Sequence, residues 1–159
     1  MRRTRFDTAP CPIARTTDLV GDWWTPVVMR EAFWGCTRFD QFQERLGVSR
    51  ATLTQRLDRL VAEGMLERVQ YQEHPPRDEY VLTDKGRAFW DVLAAMWRFG
   101  EDWLFDEQGP PVRLTRRDDG ATHRPIVVDE RTGDHLAISE LKVRFNRRPS
   151  AQPATRPAD

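Results

Sequence analysis

Residues 37–64 contain two short amphipathic segments separated by a three-residue turn, and few folds accommodate this arrangement. In the first segment, Phe39, Phe42 and Leu46 are spaced three and four residues apart, as on one face of a helix. After a glycine, Ser49 can cap a second helix. The apolar face of this second helix consists of Leu53, Leu57, Leu60 and Val61. Two such helices joined by a glycine-containing turn predict a helix-turn-helix.

A two-stranded hairpin is predicted directly after the helix-turn-helix. Apolar and polar residues alternate over residues 65–72, and an extended pattern resumes over residues 79–82. The Pro75-Pro76 pair between them interrupts both runs and marks the tip of the hairpin. A hairpin in this position is a wing. The predicted fold class is therefore mainly α with a small β wing (α+β), which is a winged helix-turn-helix.

Three more helices are predicted around this unit. A short helix runs from residue 13 to about residue 21, and a second from Pro26 to about Trp34, with Thr25 as its N-cap. Thr83 caps a long helix that extends to about residue 104. The apolar stripe of the long helix has no evident partner within one chain, which predicts a homodimer interface. The residues of this stripe are Phe89, Leu93, Met96, Trp97 and Leu104.

The composition changes after residue 108, where Gly109-Pro110-Pro111 ends the helical pattern. Short alternating runs at residues 125–128, 135–138 and 141–145 predict a small strand-rich C-terminal appendage. The predicted organisation is an N-terminal arm (1–10), a winged helix-turn-helix DNA-binding and dimerisation domain (11–108), the appendage (109–146) and a disordered tail (147–159).

Donor-rich side chains remain on the outward side of the second helix once its leucines face inward. A helix of this kind fits the DNA major groove, and Arg77 near the wing tip can reach the backbone or the minor groove. The alternative interpretations are a solvated helix face and a winged helix that binds another protein. Numbers of basic and acidic residues are equal, 25 each, which argues against nonspecific coating of nucleic acid. The predicted DNA-binding residues are Ser49, Arg50, Thr52, Gln55, Arg56, Arg59 and Arg77.

The chain resembles the HxlR-type winged helix-turn-helix regulators of the MarR-like winged-helix superfamily over residues 11–104. The similar runs are 11–14 (CPIA), 19–25 (LVGDWWT), 38–39 (RF), 48–49 (VS), 53–57 (LTQRL), 63–68 (EGMLER) and 75–86 (PPRDEYVLTDKG). The resemblance implies a bacterial, homodimeric transcription factor whose first and last helices form the interface. It also implies that helix 50–62 reads the major groove of double-stranded DNA and that the wing contacts the flanking DNA.

The same resemblance suggests a role for Cys11. Several members of the family sense oxidants, aldehydes or quinones through a cysteine near the start of the first helix. A helix N-terminus can also lower a thiol pKa, so Cys11 is the candidate thiol sensor, with a purely structural cysteine as the alternative. We expect Cys36, which follows Gly35 at a helix end, to be buried and inert.

Other classes of function find little support in the sequence. The two cysteines and three histidines are too dispersed for a zinc site, so no metal and no cofactor is expected. No nucleophile-base pair or converging carboxylates point to an enzyme. No apolar run resembles a signal peptide or a membrane span, which predicts a cytoplasmic, nucleoid-associated protein. A further alternative is a pocket for a small aromatic effector between the dimer helices, lined by Trp23, Trp24, Phe33 and Trp34.

Overall fold

A computed structural model describes residues 6–142 of the chain, and this described part divides into two compact units between residues 125 and 126. The predicted extended residues 143–145 and the tail 147–159 lie outside the described residues. The elements are α1 (Pro12–Val20), α2 (Trp24–Phe33), α3 (Phe39–Leu46), α4 (Arg50–Ala62), β1 (Leu66–Gln72), β2 (Arg77–Leu82), α5 (Asp84–Ala88), α6 (Trp90–Trp103) and a short 3-10 helix, Ile138–Glu140.

The helix-turn-helix forms where the sequence predicts it. Gly47 ends α3 in the left-handed conformation, with φ of 62°, which glycine adopts without steric cost. Ser49 caps α4, because its Oγ accepts the Thr52 N–H at 3.2 Å. At the start of α3, Gln41 Oε1 accepts the backbone N–H groups of Thr37 and Arg38, both at 3.0 Å. Arg38 is therefore the N-cap residue of α3, and Thr37 lies one residue before it.

The second helix begins at Trp24, two residues before the predicted start at Pro26. Asp22 Oδ1 accepts the N–H groups of Trp24 and Thr25, both at 2.9 Å, so a carboxylate satisfies the first donors of α2. Thr25 is buried inside the first turn, and its hydroxyl donates to Asp22 Oδ2 at 2.7 Å. The predicted N-cap role of Thr25 is wrong, since Trp23 is the N-cap residue and the Asp22 side chain satisfies the first donors. Pro26 takes the third helical position, where it needs no donor.

The predicted long helix from Asp84 consists of two helices. Thr83 Oγ1 accepts the Gly86 N–H at 3.0 Å, which confirms the predicted cap of α5. The break lies at Phe89, where Phe89 N–H bonds to Gly86 O at 3.1 Å and Val92 N–H bonds to Phe89 O at 3.1 Å, both in the tighter 3-10 pattern. The break turns the Phe89 side chain into the core, where it is 5% exposed.

The wing is an antiparallel hairpin whose base joins the core. Leu66 pairs with Leu82, and the register shifts between Gln70 and Gln72 near the tip. The residues before α3 extend this sheet, because Arg38 bridges to Glu79 and Tyr80 N–H donates to Thr37 O at 2.7 Å. The wing is thereby attached to the start of the helix-turn-helix.

One apolar core holds α2, α3, α4 and the base of the wing together. The inward face of α4 predicted from its spacing is confirmed, because Leu53 and Leu57 are 0% exposed and Leu60 is 1% exposed. The other members with less than 2% exposure are Val28, Met29, Phe42, Met65 and Leu66. Burial of these side chains fixes how α4 and the wing stand relative to each other.

Residues 109–142 contain fewer strands than their alternating pattern suggests. The first unit has one isolated bridge here, Thr115 to Thr122, and the second has Val128 to His135. Ile126, Val127 and Ile138 are exposed, at 58%, 58% and 85%. Without a buried layer to pack against, an alternating run does not extend into a stable strand. Among the described residues, no helix is long and apolar enough to cross a membrane.

Candidate nucleic-acid interface

The solvent-facing side of α4 carries polar side chains along its first two turns. Arg50, Thr54, Gln55 and Asp58 are exposed, and the N-cap Ser49 is exposed with them. Ser49, Arg50 and Gln55 thus lie on the outward side, as predicted. Thr54 was missed, although its spacing of four residues from Arg50 places both on one face. Arginine, glutamine and threonine side chains at these positions can reach base edges and phosphates.

Arg50 is positioned by contacts with α3. Its guanidinium lies 4.7 Å from the centre of the Phe39 ring, and Nη1 donates to Gln43 Oε1 at 3.1 Å. Asp40 Oδ1 is 3.6 Å from the same nitrogen. The side chain is nevertheless 69% exposed, so the guanidinium is oriented and still accessible to a ligand.

Thr52 lies between the outward and inward sides of α4. It is half-buried, and its hydroxyl lies 2.9 Å from Ser49 Oγ. These two hydroxyls hold the first turn of α4, where the backbone N–H groups point out of the helix start. Such a helix start is suited to a phosphate.

Arg56 and Arg59 do not stand on the free outward face that the sequence predicts for them. Both are half-buried and turn towards the loop between α1 and α2. Their Nη1 atoms lie 3.3 and 3.4 Å from Asp22 Oδ2, and Arg59 Nη2 donates to Asp18 O at 2.6 Å. Residues 56 and 59 flank the buried Leu57 and Leu60, and a half-buried arginine requires an acidic partner. Their placement on the outward side was therefore wrong.

The groove between the helix-turn-helix and the wing is rich in arginine. Arg38 Nε donates to Glu79 Oε1 at 3.0 Å, and its guanidinium lies 4.4 Å from the centre of the Tyr71 ring. Arg68 Nη2 lies 2.6 Å from Asp58 Oδ1. The Arg77 side chain is exposed and has no hydrogen-bond or ion-pair partner among residues 6–142. The groove is lined by Arg38, Phe39, Asp40, Gln41, Arg50, Arg68, Tyr71, Pro76, Arg77, Asp78 and Tyr80.

The two cysteines have opposite surroundings. Cys11 is exposed at the N-cap position of α1. Cys36 is buried as predicted, and its Sγ lies 4.0 Å from Glu31 Oε2. Burial raises the pKa of the Cys36 thiol and the Glu31 carboxylate raises it further, although Arg45 opposes both. Within residues 6–142, no group of His, Cys, Asp and Glu side chains could hold a metal ion.

The apolar stripe predicted for dimerisation faces largely into its own chain. Phe89 belongs to the core, and Leu93 packs against it, so the prediction that these two lack a partner within the chain is wrong. Trp97 is half-buried, whereas Met96 and Leu104 are exposed. The exposed apolar side of α6 also includes Phe99 and Trp103, at 60% and 74% exposure, which the sequence interpretation missed. Phe99 and Trp103 follow Met96 by three and seven residues, and this helical spacing was the available signal.

Within one protomer, the four aromatic residues predicted to line an effector pocket between the dimer helices have separate surroundings. Trp23 is 91% exposed, and Trp24 packs against the core. Phe33 contacts Trp90, with ring centres 5.5 Å apart. Trp34 lies beneath the Arg30 guanidinium at 4.8 Å.

Comparison with known proteins shows which family this chain matches and which proteins it resembles. Residues 19–108 match the family model described as HxlR-like helix-turn-helix. The chain is 36% identical over 129 residues to the HTH-type transcriptional regulator Rv3095 of Mycobacterium tuberculosis, which covers 81% of this chain and 82% of that protein. It resembles the crystal structure of the transcription factor PA1607 at 39% identity with a TM-score of 0.81, covering 90% of this chain and 100% of that one.

A redox regulator is among the similar structures. The reduced form of HypR matches at 30% identity with a TM-score of 0.54, over 58% of this chain and 92% of that one.

Proposed function

Because the chain belongs to the HxlR-like helix-turn-helix family of transcriptional regulators, we propose that it binds an operator as a homodimer, with α4 of each protomer in the major groove. The proposal rests on one observation above all. The polar outward side of α4, with Arg50, Thr54 and Gln55, borders the arginine-rich groove at the wing. The family and the relatives are regulators and not enzymes, and operator binding implies that the protein acts in the cytoplasm.

The exposed apolar side of α6 supports the homodimer. Met96, Phe99, Trp103 and Leu104 are between 49% and 74% exposed, and large apolar patches of this kind usually mark an interface. A second copy is a self-complementary partner that every cell making the protein contains. Two copies of α4 about 34 to 36 Å apart would read an inverted repeat on one face of the duplex.

Substitutions on α4 and on the wing should separate base reading from backbone binding. We expect Arg50→Ala and Gln55→Ala each to weaken operator binding by about 1 to 2 kcal/mol and to relax the preference at one base pair. Arg77→Ala should weaken operator and random DNA equally and reduce the salt dependence of binding by about one ion. Titrations of operator and scrambled duplexes over a salt series measure both effects.

Arg87→Ala is the matched control for these arginine variants. Arg87 is an exposed arginine on α5 and pairs with Asp84 at 2.8 Å. We expect its loss to leave DNA binding unchanged apart from a small electrostatic effect. If neither the α4 variants nor Arg77→Ala changes DNA affinity, the fold serves a protein partner instead.

Cys11 is the proposed thiol sensor, which the similarity to the redox regulator HypR supports. An exposed thiol at a helix start reacts with electrophiles much faster than the buried Cys36. In the folded protein, N-ethylmaleimide should add once, by forming a bond from the Cys11 sulfur to the maleimide ring. Intact-mass and peptide analysis locate the adduct, and denatured protein should take up two.

The regulatory part of this proposal requires that the Cys11 adduct weakens operator binding. We expect Cys11→Ser to bind the operator normally and to stay bound after treatment with the same reagent. Loss of binding by the treated Cys11→Ser protein would exclude Cys11 as the sensor.

A further inference from the structure

Asp58 is an acidic residue on the side of α4 that faces the bases in the proposed operator complex. It follows Thr54 by four residues and Gln55 by three, so the three side chains share one face of the helix. The Asp58 side chain is 54% exposed. Phosphates repel a carboxylate, so Asp58 disfavours any DNA that offers it no hydrogen-bond donor.

Arg68 on β1 holds this carboxylate in one orientation. Arg68 Nη2 donates to Asp58 Oδ1 at 2.6 Å and to the Tyr80 hydroxyl at 3.3 Å. The same guanidinium lies 5.3 Å from the centre of the Tyr80 ring, and Tyr80 is 8% exposed. Because Arg68 is anchored on a buried side chain of the wing, it orients Asp58 and also places a positive charge beside it.

One oxygen of Asp58 remains available to a ligand. Asp58 Oδ2 has no hydrogen-bond partner among residues 6–142, and an ionised carboxylate can only accept hydrogen bonds. In the major groove, guanine and thymine present acceptors, whereas cytosine and adenine each present an amino group. The adenine amino group has the N7 acceptor beside it, which repels a carboxylate, and cytosine has no acceptor at that place. The N4 amino group of cytosine is therefore the donor that suits Asp58.

We propose that Asp58 Oδ2 accepts a hydrogen bond from the N4 amino group of a cytosine in the operator, and that Arg68 is the positioning residue for this carboxylate. The inference rests on the proposed function, because it requires α4 to lie in the major groove. Asp58 then contributes to specificity in two ways. It favours DNA with cytosine at one position, and it disfavours other DNA, where it meets acceptors and phosphates.

Selection of duplexes from a random pool tests which base Asp58 reads. The wild type should select cytosine at a position where Asp58→Asn selects adenine, because an asparagine amide matches the N6 and N7 atoms of adenine. Asp58→Ala should reduce the preference at this position by about 5-fold or more. Asp84→Asn is the matched control, since Asp84 also pairs with an arginine, Arg87 at 2.8 Å, but lies on α5. It should select the same bases as the wild type.

Titrations of the selected operator and of a scrambled duplex separate base reading from a general effect of charge. Asp58→Ala should weaken operator binding by about 5-fold and strengthen binding to the scrambled duplex by about 2-fold at low salt. A purely electrostatic role of Asp58 would strengthen both, and a purely structural role would weaken both, so either result would overturn the proposal. Asp58 is exposed and alanine favours helix more than aspartate does, so the variant should fold as the wild type does.

Arg68→Gln tests the positioning role. Without the guanidinium, the cytosine preference should fall about 3-fold and should not change to adenine, because the carboxylate is still present but is no longer oriented. An unchanged preference would exclude Arg68 as the positioning residue. If no position selected as cytosine by the wild type changes in Asp58→Asn, this inference is wrong and operator binding stands. If the wild type selects no sequence at all, the proposed function is wrong together with it.

Discussion

Replacing Asp22 with alanine should lower the free energy of unfolding by about 3 kcal/mol. The side chain is 9% exposed and accepts the backbone N–H groups of Trp24 and Thr25 as well as the Thr25 hydroxyl. Its loss leaves these donors unpaired at the start of α2, where Thr25 is buried. Arg56 and Arg59 lose their shared counter-charge at the same time. Urea denaturation followed by far-UV circular dichroism measures the difference.

Asp22→Asn is the matched control, because its single oxygen can still accept the N–H groups of Trp24 and Thr25, while the charge and the second acceptor oxygen are lost. We expect it to cost roughly a third as much as alanine, about 1 kcal/mol. Neutral surface substitutions change the free energy of unfolding by up to roughly 0.5 kcal/mol. If the value for Asp22→Ala differs from that of the wild type by no more than this, the contacts of the carboxylate do not stabilise the fold.

The contribution of Asp22 should also depend on pH. Burial acts to raise the pKa of this carboxyl, but hydrogen bonds from the Thr25 side chain and backbone, the Arg56 charge and the Trp24 N–H outweigh it. The pKa in the folded protein therefore lies below its ordinary value of 3.8. The stabilisation is complete above about pH 5 and is lost as the pH falls through the folded pKa. The stability difference between wild type and Asp22→Asn should accordingly shrink only in that acidic range.

The double variant Phe99→Glu/Trp103→Glu should convert the protein into a monomer and weaken operator binding at least about 100-fold. Both side chains are on the exposed side of α6. In a dimer, the two new carboxylates of each protomer would have to be buried in the interface, which favours dissociation into monomers. A monomer reads one half-site only and loses the second set of contacts. Sedimentation velocity at micromolar concentration and titration of the full operator measure the two effects.

Ile126→Glu/Val127→Glu is the control for the dimer variant. Both residues are 58% exposed, lie in the second unit, and receive the same change of charge. We expect this control to sediment and to bind DNA as the wild type does. A wild-type chain that sediments as a monomer while binding its operator fully would contradict the proposed assembly.

Local spacing in the sequence was enough to predict the helix-turn-helix, the wing and the inward face of α4. Helix and strand periods place every third to fourth or every second side chain on one face, and glycine or a capping hydroxyl marks the ends. Ser49, Gly47 and Thr83 act in the structure as these rules require. Contacts of this kind involve residues that are close along the chain, so a pattern of a few residues contains the necessary information.

Only the tertiary structure decided what packs against each apolar helix face and which acidic side chain pairs with each arginine. The stripe that begins at Phe89 is a regular helical pattern, but periodicity does not distinguish the core of one chain from the surface of a second chain. Likewise, arginines such as Arg56 and Arg59 are typical of a DNA-binding surface, yet both pair with Asp22 in the structure. Asp22 lies 37 residues before Arg59 in the sequence. Such pairings depend on how α1, α2 and α4 pack together. That packing is set by the burial of side chains distant in sequence, which no local pattern specifies.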